Sequence, residues 1–202
     1  LDTKIKEMLS PKKSLDILKK TNALIEGHFI LSSGLHSSKY IQCAKLLSYP
    51  HLAKRICLSL SKKIKKNYKK IDLILAPAMG GVIIGYEIGR ILKKESIFCE
   101  RVNGKFKLRR GFRIKKGSRV LIVEDVITTG KSSMECVKLI KNSKAKLLGF
   151  ACIINRSNKN NLKIKDEIIS QVELLIPTYK KNNLPLFLKK RKIIKPGSRY
   201  IK

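Results

Sequence analysis

At 202 residues, 43% of them hydrophobic, the chain is long enough to bury a sizeable core in one compact domain, with room for a small appended subdomain but not for a second full domain. Its 46 Lys and Arg against 14 Asp and Glu leave a formal charge of +32, well beyond what solubility requires. No apolar run approaches membrane-spanning length, no charged-then-apolar leader opens the chain, and the five cysteines lack any C-x-x-C pairing; these features argue against a membrane protein or a disulfide scaffold.

In chain order, the stretch around Lys4 to Lys20 carries short helical signals interrupted by Pro11, with Leu15 and Leu18 on one face, and reads as a helical lid. Two extended runs follow, His28 to Leu31 and Lys39 to Cys43, separated by the turn-rich Ser32 to Ser37, which predicts a hairpin beside the main domain. After Pro50, residues Leu52, Ile56, Leu60 and Ile64 recur four apart, while Lys54, Arg55, Lys62, Lys63, Lys65 and Lys66 cover the other side of an amphipathic helix.

Short apolar runs then alternate with helical segments: Ile71 to Ala76, helix Val82 to Leu92, Ser96 to Val102, a basic connector, Val120 to Val123, helix Ser132 to Lys144, and Leu147 to Ile154. The pattern predicts an α/β fold with a mostly parallel, doubly wound sheet covered on both faces. Ligands of such sheets bind beyond the carboxyl ends of the strands, so the loops after each strand are the ones to inspect. Cys43, Cys57, Cys99, Cys136 and Cys152 fall mostly within the apolar runs and read as buried thiols of a cytoplasmic protein.

The most informative loop follows Val120-Leu121-Ile122-Val123. Glu124 and Asp125 stand at the end of a buried strand, and Val126-Ile127-Thr128-Thr129-Gly130-Lys131-Ser132 turns into a helix. Free amides and hydroxyls at a helix start suit a phosphate monoester, and the carboxylates can accept hydrogen bonds from vicinal sugar hydroxyls, so a ribose 5-phosphate satisfies both. Taken singly, Thr128 or Thr129 could be a helix cap and the acidic pair an exposed strand end. The upstream glycine of a Walker loop is missing. A second strand-end loop, Ala76-Pro77-Ala78-Met79-Gly80-Gly81, brings paired glycines whose backbone can approach a diphosphate, or is an ordinary strand-to-helix turn. Gly104 to Gly117 holds Lys105, Lys107, Arg109, Arg110, Arg113, Lys115 and Lys116 without a carboxylate; it suits a mobile loop closing over a departing polyanion, or a solvated hairpin.

The Glu124 to Ser132 segment matches the signature of type I phosphoribosyltransferases. Together with Gly27-His28-Phe29-Ile30-Leu31-Ser32-Ser33-Gly34-Leu35-His36-Ser37, Pro77 to Gly81 with Gly85-Tyr86-Glu87, and Glu100-Arg101 with Leu108-Arg109-Arg110-Gly111-Phe112, it resembles the bacterial orotate phosphoribosyltransferases over roughly Thr21 to Arg156. The resemblance implies the type I phosphoribosyltransferase fold as a single domain over residues 1–202, with residues 1–48 and part of the C-terminus forming a small hood. It implies phosphoribosyl pyrophosphate bound by Met79, Gly80, Gly81, Arg101, Lys105 and the segment Glu124, Asp125, Val126, Ile127, Thr128, Thr129, Gly130, Lys131, Ser132. Orotate is expected at Ser33, Thr128 and Arg156. Lys105, Arg109 and Asp125 are expected to be catalytic, although the choice among Lys105, Lys107, Arg109 and Arg110 stays open. Mg²⁺ is the expected cofactor, held through the substrate with no metal ligands from the protein, and a homodimer that exchanges basic loops between active sites is the expected assembly. The sequence departs from better known members at Gly80 and Ser32, where those carry lysine.

A purine or other base phosphoribosyltransferase shares the signature but not the hairpin pattern. A nucleic-acid-binding regulator on the same fold is the competing reading of the charge. Lysines spread along nearly the whole chain favour a compositional habit instead, and 6% aromatic residues offer few stacking platforms, so no nucleic-acid partner is expected. His28 and His36 belong to the hairpin, His51 to a helix start, and no zinc-ligand spacing is present.

Overall fold

Ser10 and Pro11 set the first element of the computed structural model, which describes residues 8–31, 33–158 and 162–196. In helix α1 (Pro11–Lys20) the Ser10 hydroxyl accepts from the Lys13 N–H at 3.2 Å. Pro11, expected to interrupt a helix, opens it, because a missing N–H is no loss in the first helical position. Residues 4–7 of the expected span, and Ser32 of the hairpin, lie outside the described residues. The hairpin strands β1 (Leu24–Ile30) and β2 (His36–Ile41) both begin earlier than expected. His36 and Ser37, assigned to the turn by composition, are buried and pair with Ile30 and Phe29.

Helix α2 (Cys43–Leu47) leads into α3 (Pro50–Asn67), where Leu52, Ile56, Leu60 and Ile64 are all buried as their spacing requires. Lys63 departs from the solvated lysine face: its ammonium turns back to donate to the Ser170 and Gln171 carbonyls at 2.8 and 3.3 Å. Next come β3 (Leu73–Pro77), α4 (Gly80–Leu92) and β4 (Glu95–Val102). The basic connector is then corrected, since Lys105 to Leu108 forms strand β5 (Lys105–Leu108), antiparallel to β4. Asn103 and Gly104, both at positive φ (50° and 77°), make the two-residue turn that this pairing demands. The chain continues with β6 (Arg119–Ile127), α5 (Lys131–Asn142), β7 (Lys146–Asn155), β8 (Ile168–Glu173), β9 (Thr178–Tyr179), α6 (Leu186–Lys189) and β10 (Ile193–Ile194).

The large sheet has strand order β5-β4-β3-β6-β7-β8 and is parallel except for the β5 edge. Strand alternation divides its core. Ile74, Leu121, Val123, Ala151 and Ile153 face α3 and α4, whereas Leu73, Leu75, Val120, Ile122, Phe150 and Cys152 face α5 with Phe106 and Ile114. Helices thus cover both faces, the doubly wound arrangement the alternation predicts. The Arg119 guanidinium grips the Asp72 carboxylate through two hydrogen bonds of 2.6 and 2.8 Å at the amino end of β6, and this holds Asp72 well below the usual carboxylate range. A second sheet, β10-β1-β2-β9, joins the hairpin to two short C-terminal strands. Among the described residues no helix is long and apolar enough to cross a membrane.

Helix α4 lies so close to the sheet that a Cβ at Gly85 would stand 2.8 Å from the Cβ of Ala76. Gly85→Ala gains about 1 kcal/mol of helix propensity, but the overpacking it forces costs roughly 1–3 kcal/mol. Net destabilisation in urea unfolding is the expected outcome, and a more stable variant would show that the contact is slack.

Candidate active site

Three loops meet at the carboxyl edge of the large sheet. The loop after β6 begins with Glu124 and Asp125, and because successive side chains of a strand point to opposite faces, the two carboxylates do not lie side by side. Glu124 turns toward α5, is 8% exposed, and accepts a hydrogen bond on Oε1 from the Ser133 hydroxyl. Burial drives its pKa up to about 7, with the Asp125 charge adding to the rise and the Ser133 hydrogen bond opposing it. Asp125 is half-buried and turns toward α4. Burial raises its pKa as well, against hydrogen bonds from its own backbone N–H and that of Val126.

Beyond the pair, a hollow of ≈ 70 Å³ is lined by Glu124, Val126, Ile127, Thr128, Thr129, Gly130, Lys131 and Ser132. One water fills roughly 30 Å³ of liquid, so the hollow suits a compact polar group. Helix α5 starts here with Gly130 at its N-cap and no side-chain cap, which leaves first-turn amides for a ligand. The loop is braced from outside, where the Lys163 N–H donates to the Thr129 carbonyl at 2.9 Å. The nine residues predicted from Glu124 to Ser132 are therefore gathered in one place, apart from the outward turn of Asp125.

That turn carries Asp125 to the second loop. A Cβ on Gly80 would lie 2.6 to 2.7 Å from both carboxylate oxygens and the carboxyl carbon of Asp125, so only glycine fits while the carboxylate keeps this position. Met79 is 83% exposed, Gly81 is buried under the Val123 carbonyl, and the Ala78–Met79 peptide is cis. Met79, Gly80 and Asp125 consequently sit together on the α4 side of β6.

A cleft of ≈ 440 Å³ opens beside the hollow, walled by Thr128, Thr129, Arg156 and Asn158 on one side and by Leu175, Ile176, Pro177 and Thr178 on the other. The Arg156 N–H donates to the Ile127 carbonyl at 2.9 Å and fixes the loop after β7 against the end of β6. Its guanidinium is half-buried, has no partner among the described residues, and is pulled below its ordinary pKa by that burial. An arginine so placed calls for an anion. Ser33, by contrast, lies exposed in the hairpin turn, accepts from the Leu35 N–H at 3.5 Å, and does not line this cleft.

Of the predicted cations, Lys131 lines the hollow, while Arg101, Lys105 and Arg109 line neither the hollow nor the cleft. Arg101 makes a bidentate pair with Glu135 of α5 at 2.9 and 3.1 Å and stacks over Phe106, 4.1 Å from the ring centre. It lines, with Lys105, Lys131, Lys138 and Lys163, a groove along α5 that shares Lys131 with the hollow. Glu100 draws in Arg109 at 3.8 Å and Arg110 at 3.4 Å, so the charge of this segment is less one-sided than the sequence of Gly104 to Gly117 alone suggests. Ser133 and the Leu175 to Thr178 wall had not been singled out. Ser133 adjoins the signature but faces inward, and the wall carries no motif.

The phosphoribosyl transferase domain family matches residues 47–179. An orotate phosphoribosyltransferase of Caldicellulosiruptor saccharolyticus is 45% identical over 188 residues, which cover 93% of this chain and 97% of that protein. Among solved structures, the orotate phosphoribosyltransferase of Aeropyrum pernix aligns with a TM-score of 0.66 at 22% identity, over 79% of this chain and 92% of that one. The adenine phosphoribosyltransferase of Saccharomyces cerevisiae aligns with a TM-score of 0.63 at 18% identity, over 78% and 99%, so the fold is common to enzymes named for different bases. The fold places a family-matched strand, its small hollow and an arginine with no partner among the described residues at one sheet edge, and the relative at 45% identity aligns over 93% of the chain: the chain belongs to the orotate phosphoribosyltransferases.

Proposed function

We propose that the protein transfers the 5-phosphoribosyl group of phosphoribosyl pyrophosphate to orotate, giving orotidine 5'-monophosphate and pyrophosphate in pyrimidine biosynthesis. The observation that carries this reading is that the hollow and the cleft share Thr128 and Thr129, while the cleft offers the unpaired, half-buried Arg156. One ligand can then keep its 5-phosphate on the amides of α5 and its base beside a guanidinium, whose planar fork matches a carboxylate.

Displacement at the anomeric carbon passes through an oxocarbenium-like state. The attacking orotate nitrogen bears an acidic proton, so no strong protein base is needed. The chain's own part is to position both substrates, keep water out and balance the charge on the departing diphosphate. Glu124 and Asp125 hold the ribose hydroxyls from opposite sides of β6, and the Met79–Gly81 backbone lies along the diphosphate. Mg²⁺ would be carried mainly by the substrate's own oxygens, as this ion commonly is beside phosphates, with Glu124 and Asp125 the carboxylates at the loop after β6. Bound there, it neutralises charge on the leaving group.

A homodimer is the assembly we infer. Met79, Ile83 and Tyr86 form an exposed apolar stripe along α4, at 83%, 54% and 67% exposure, beside the diphosphate loop. Such a stripe suits burial against a second copy. Arg109 and Lys105 would then serve the neighbouring site. The five thiols, all free and buried, support a reducing, cytoplasmic setting.

Loss of orotate absorbance on mixing the protein with phosphoribosyl pyrophosphate and Mg²⁺ is the direct test, run beside uracil, adenine, guanine and hypoxanthine. Turnover of another base in place of orotate would move the specificity, and silence with every base would end the enzyme reading. Arg156→Ala should raise the orotate KM by roughly 10- to 100-fold, as expected for a lost charge-assisted pair, and leave the KM for phosphoribosyl pyrophosphate nearly unchanged. Mixing inactive Arg109→Ala with inactive Asp125→Asn should recover about a quarter of wild-type activity by random exchange of subunits in a symmetric dimer. No recovery, with exchange confirmed, would place Arg109 in its own subunit's site.

A further inference from the structure

The signature ends at Ser132 and a second serine, Ser133, follows it at once, and the structure places the two differently. Ser132 lines the hollow, whereas Ser133 is fully buried. Consecutive helical side chains diverge by about 100°, so a serine following one that faces the ligand points back into the protein. There the Ser133 hydroxyl meets Glu124 and donates to Oε1. Among the described residues this is the one hydrogen bond to the Glu124 side chain. Glu124 also lines the hollow, and among the described residues no donor reaches its Oε2, which is not among the side-chain atoms buried without a partner.

We propose that Ser133 is a positioning residue: it holds one oxygen of the Glu124 carboxylate and so presents the other, Oε2, to a hydroxyl of the bound ribose. This rests on the ribose-binding reading of Glu124. A carboxylate reached by no donor can rotate about its terminal torsion, which has broad preferences, and the buried Ser133 hydroxyl restricts that freedom. A second consequence follows from charge. Glu124 accepts most strongly when ionised, and burial together with the Asp125 charge opposes that form, while the neighbouring thiols of Cys136 from α5 and Cys152 from β7 bring no positive charge to offset them. Ser133 supplies the hydrogen bond that favours the ionised form.

Steady-state kinetics on full-length Ser133→Ala, Ser133→Thr and Glu124→Gln test the proposal. In the wild type, kcat/KM for phosphoribosyl pyrophosphate should fall as pH drops below about 7, where Glu124 takes up a proton. Ser133→Ala should raise the KM for phosphoribosyl pyrophosphate about tenfold, the equivalent of one hydrogen bond to a charged group. It should change kcat by less than about twofold, as for an interaction made in ground and transition states alike. Its acid limb should move to higher pH, and Ser133→Thr, which keeps the hydroxyl, should restore both values. A Ser133→Ala enzyme with wild-type KM and an unmoved acid limb, even one with a lowered melting temperature, overturns the proposal provided Glu124→Gln has raised that KM. If Glu124→Gln leaves it unchanged as well, the ribose role of Glu124 is what fails. Should Ser133→Ala not fold, Ser133→Cys, close in size and a weaker donor, is read in the same way.

Discussion

Strand β6 has to satisfy two opposed demands: to run buried through the middle of the sheet, and to end in two carboxylates. From Val120 to Val123 every side chain is buried, divided between two cores by the alternation of the strand. The same alternation, carried one step further, sends Glu124 to the α5 side and Asp125 to the α4 side. Each carboxylate then meets an element shaped for it, Ser133 for the first and the bare backbone of Gly80 for the second. The register of β6 against β3 and β7 therefore fixes the chemistry as well as the core. A slip of one residue would exchange the faces and leave each carboxylate opposite apolar packing.

The charge of the chain takes on meaning only through its arginines. Arg90, Arg101, Arg109, Arg110 and Arg119 each reach a carboxylate, and four of the 14 acidic residues, Glu87, Glu135, Glu100 and Asp72, are engaged by them. Among the described residues Arg156 reaches none and is half-buried all the same. Exposed pairs of this kind contribute little stability, on the order of 0–1 kcal/mol, so the pairing of the others is not what distinguishes them. What separates Arg156 is desolvation without compensation, a condition that a bound anion relieves. Lysines dominate the remainder of the charge, and their even spread gives no such local signal.

How much of this was visible in the sequence depends on how local each signal is. The four-apart leucines and isoleucines of α3, the apolar runs of β3, β6 and β7, and the loop from Glu124 to Ser132 are set by neighbours within a few residues, and the structure keeps them. Strands β9 and β10 are two residues long, and β10 pairs with β1 across most of the chain, so no pattern within them could announce it. The Asn103-Gly104 turn that pairs β4 with β5 is a hairpin signal, but the basic residues around it mask it. The engagement of Arg101 by Glu135 brings together residues 34 apart in sequence, and that contact exists only once α5 has packed on the sheet. Ser33 is the converse case, a residue placed near the site by resemblance that the fold leaves on an exposed turn.

The two halves of the site are carried by different sheets, and this bears on how one fold serves several bases. The phosphate hollow and the carboxylates belong to the large parallel sheet, at loops whose geometry is dictated by buried strands. The far wall of the base cleft, Leu175 to Thr178, runs into β9, and β9 pairs with β2 through Thr178 and Tyr179 opposite Ser37 and His36. The Leu175 to Thr178 wall of the cleft is thus an extension of the small sheet, anchored on a hairpin with the buried His28 and His36 in contact at 2.7 Å. Changes in that hairpin or its C-terminal partners can reshape the base side of the cleft without disturbing β6. A scaffold divided in this way allows the phosphoribosyl half to stay constant while the recognition of the base varies.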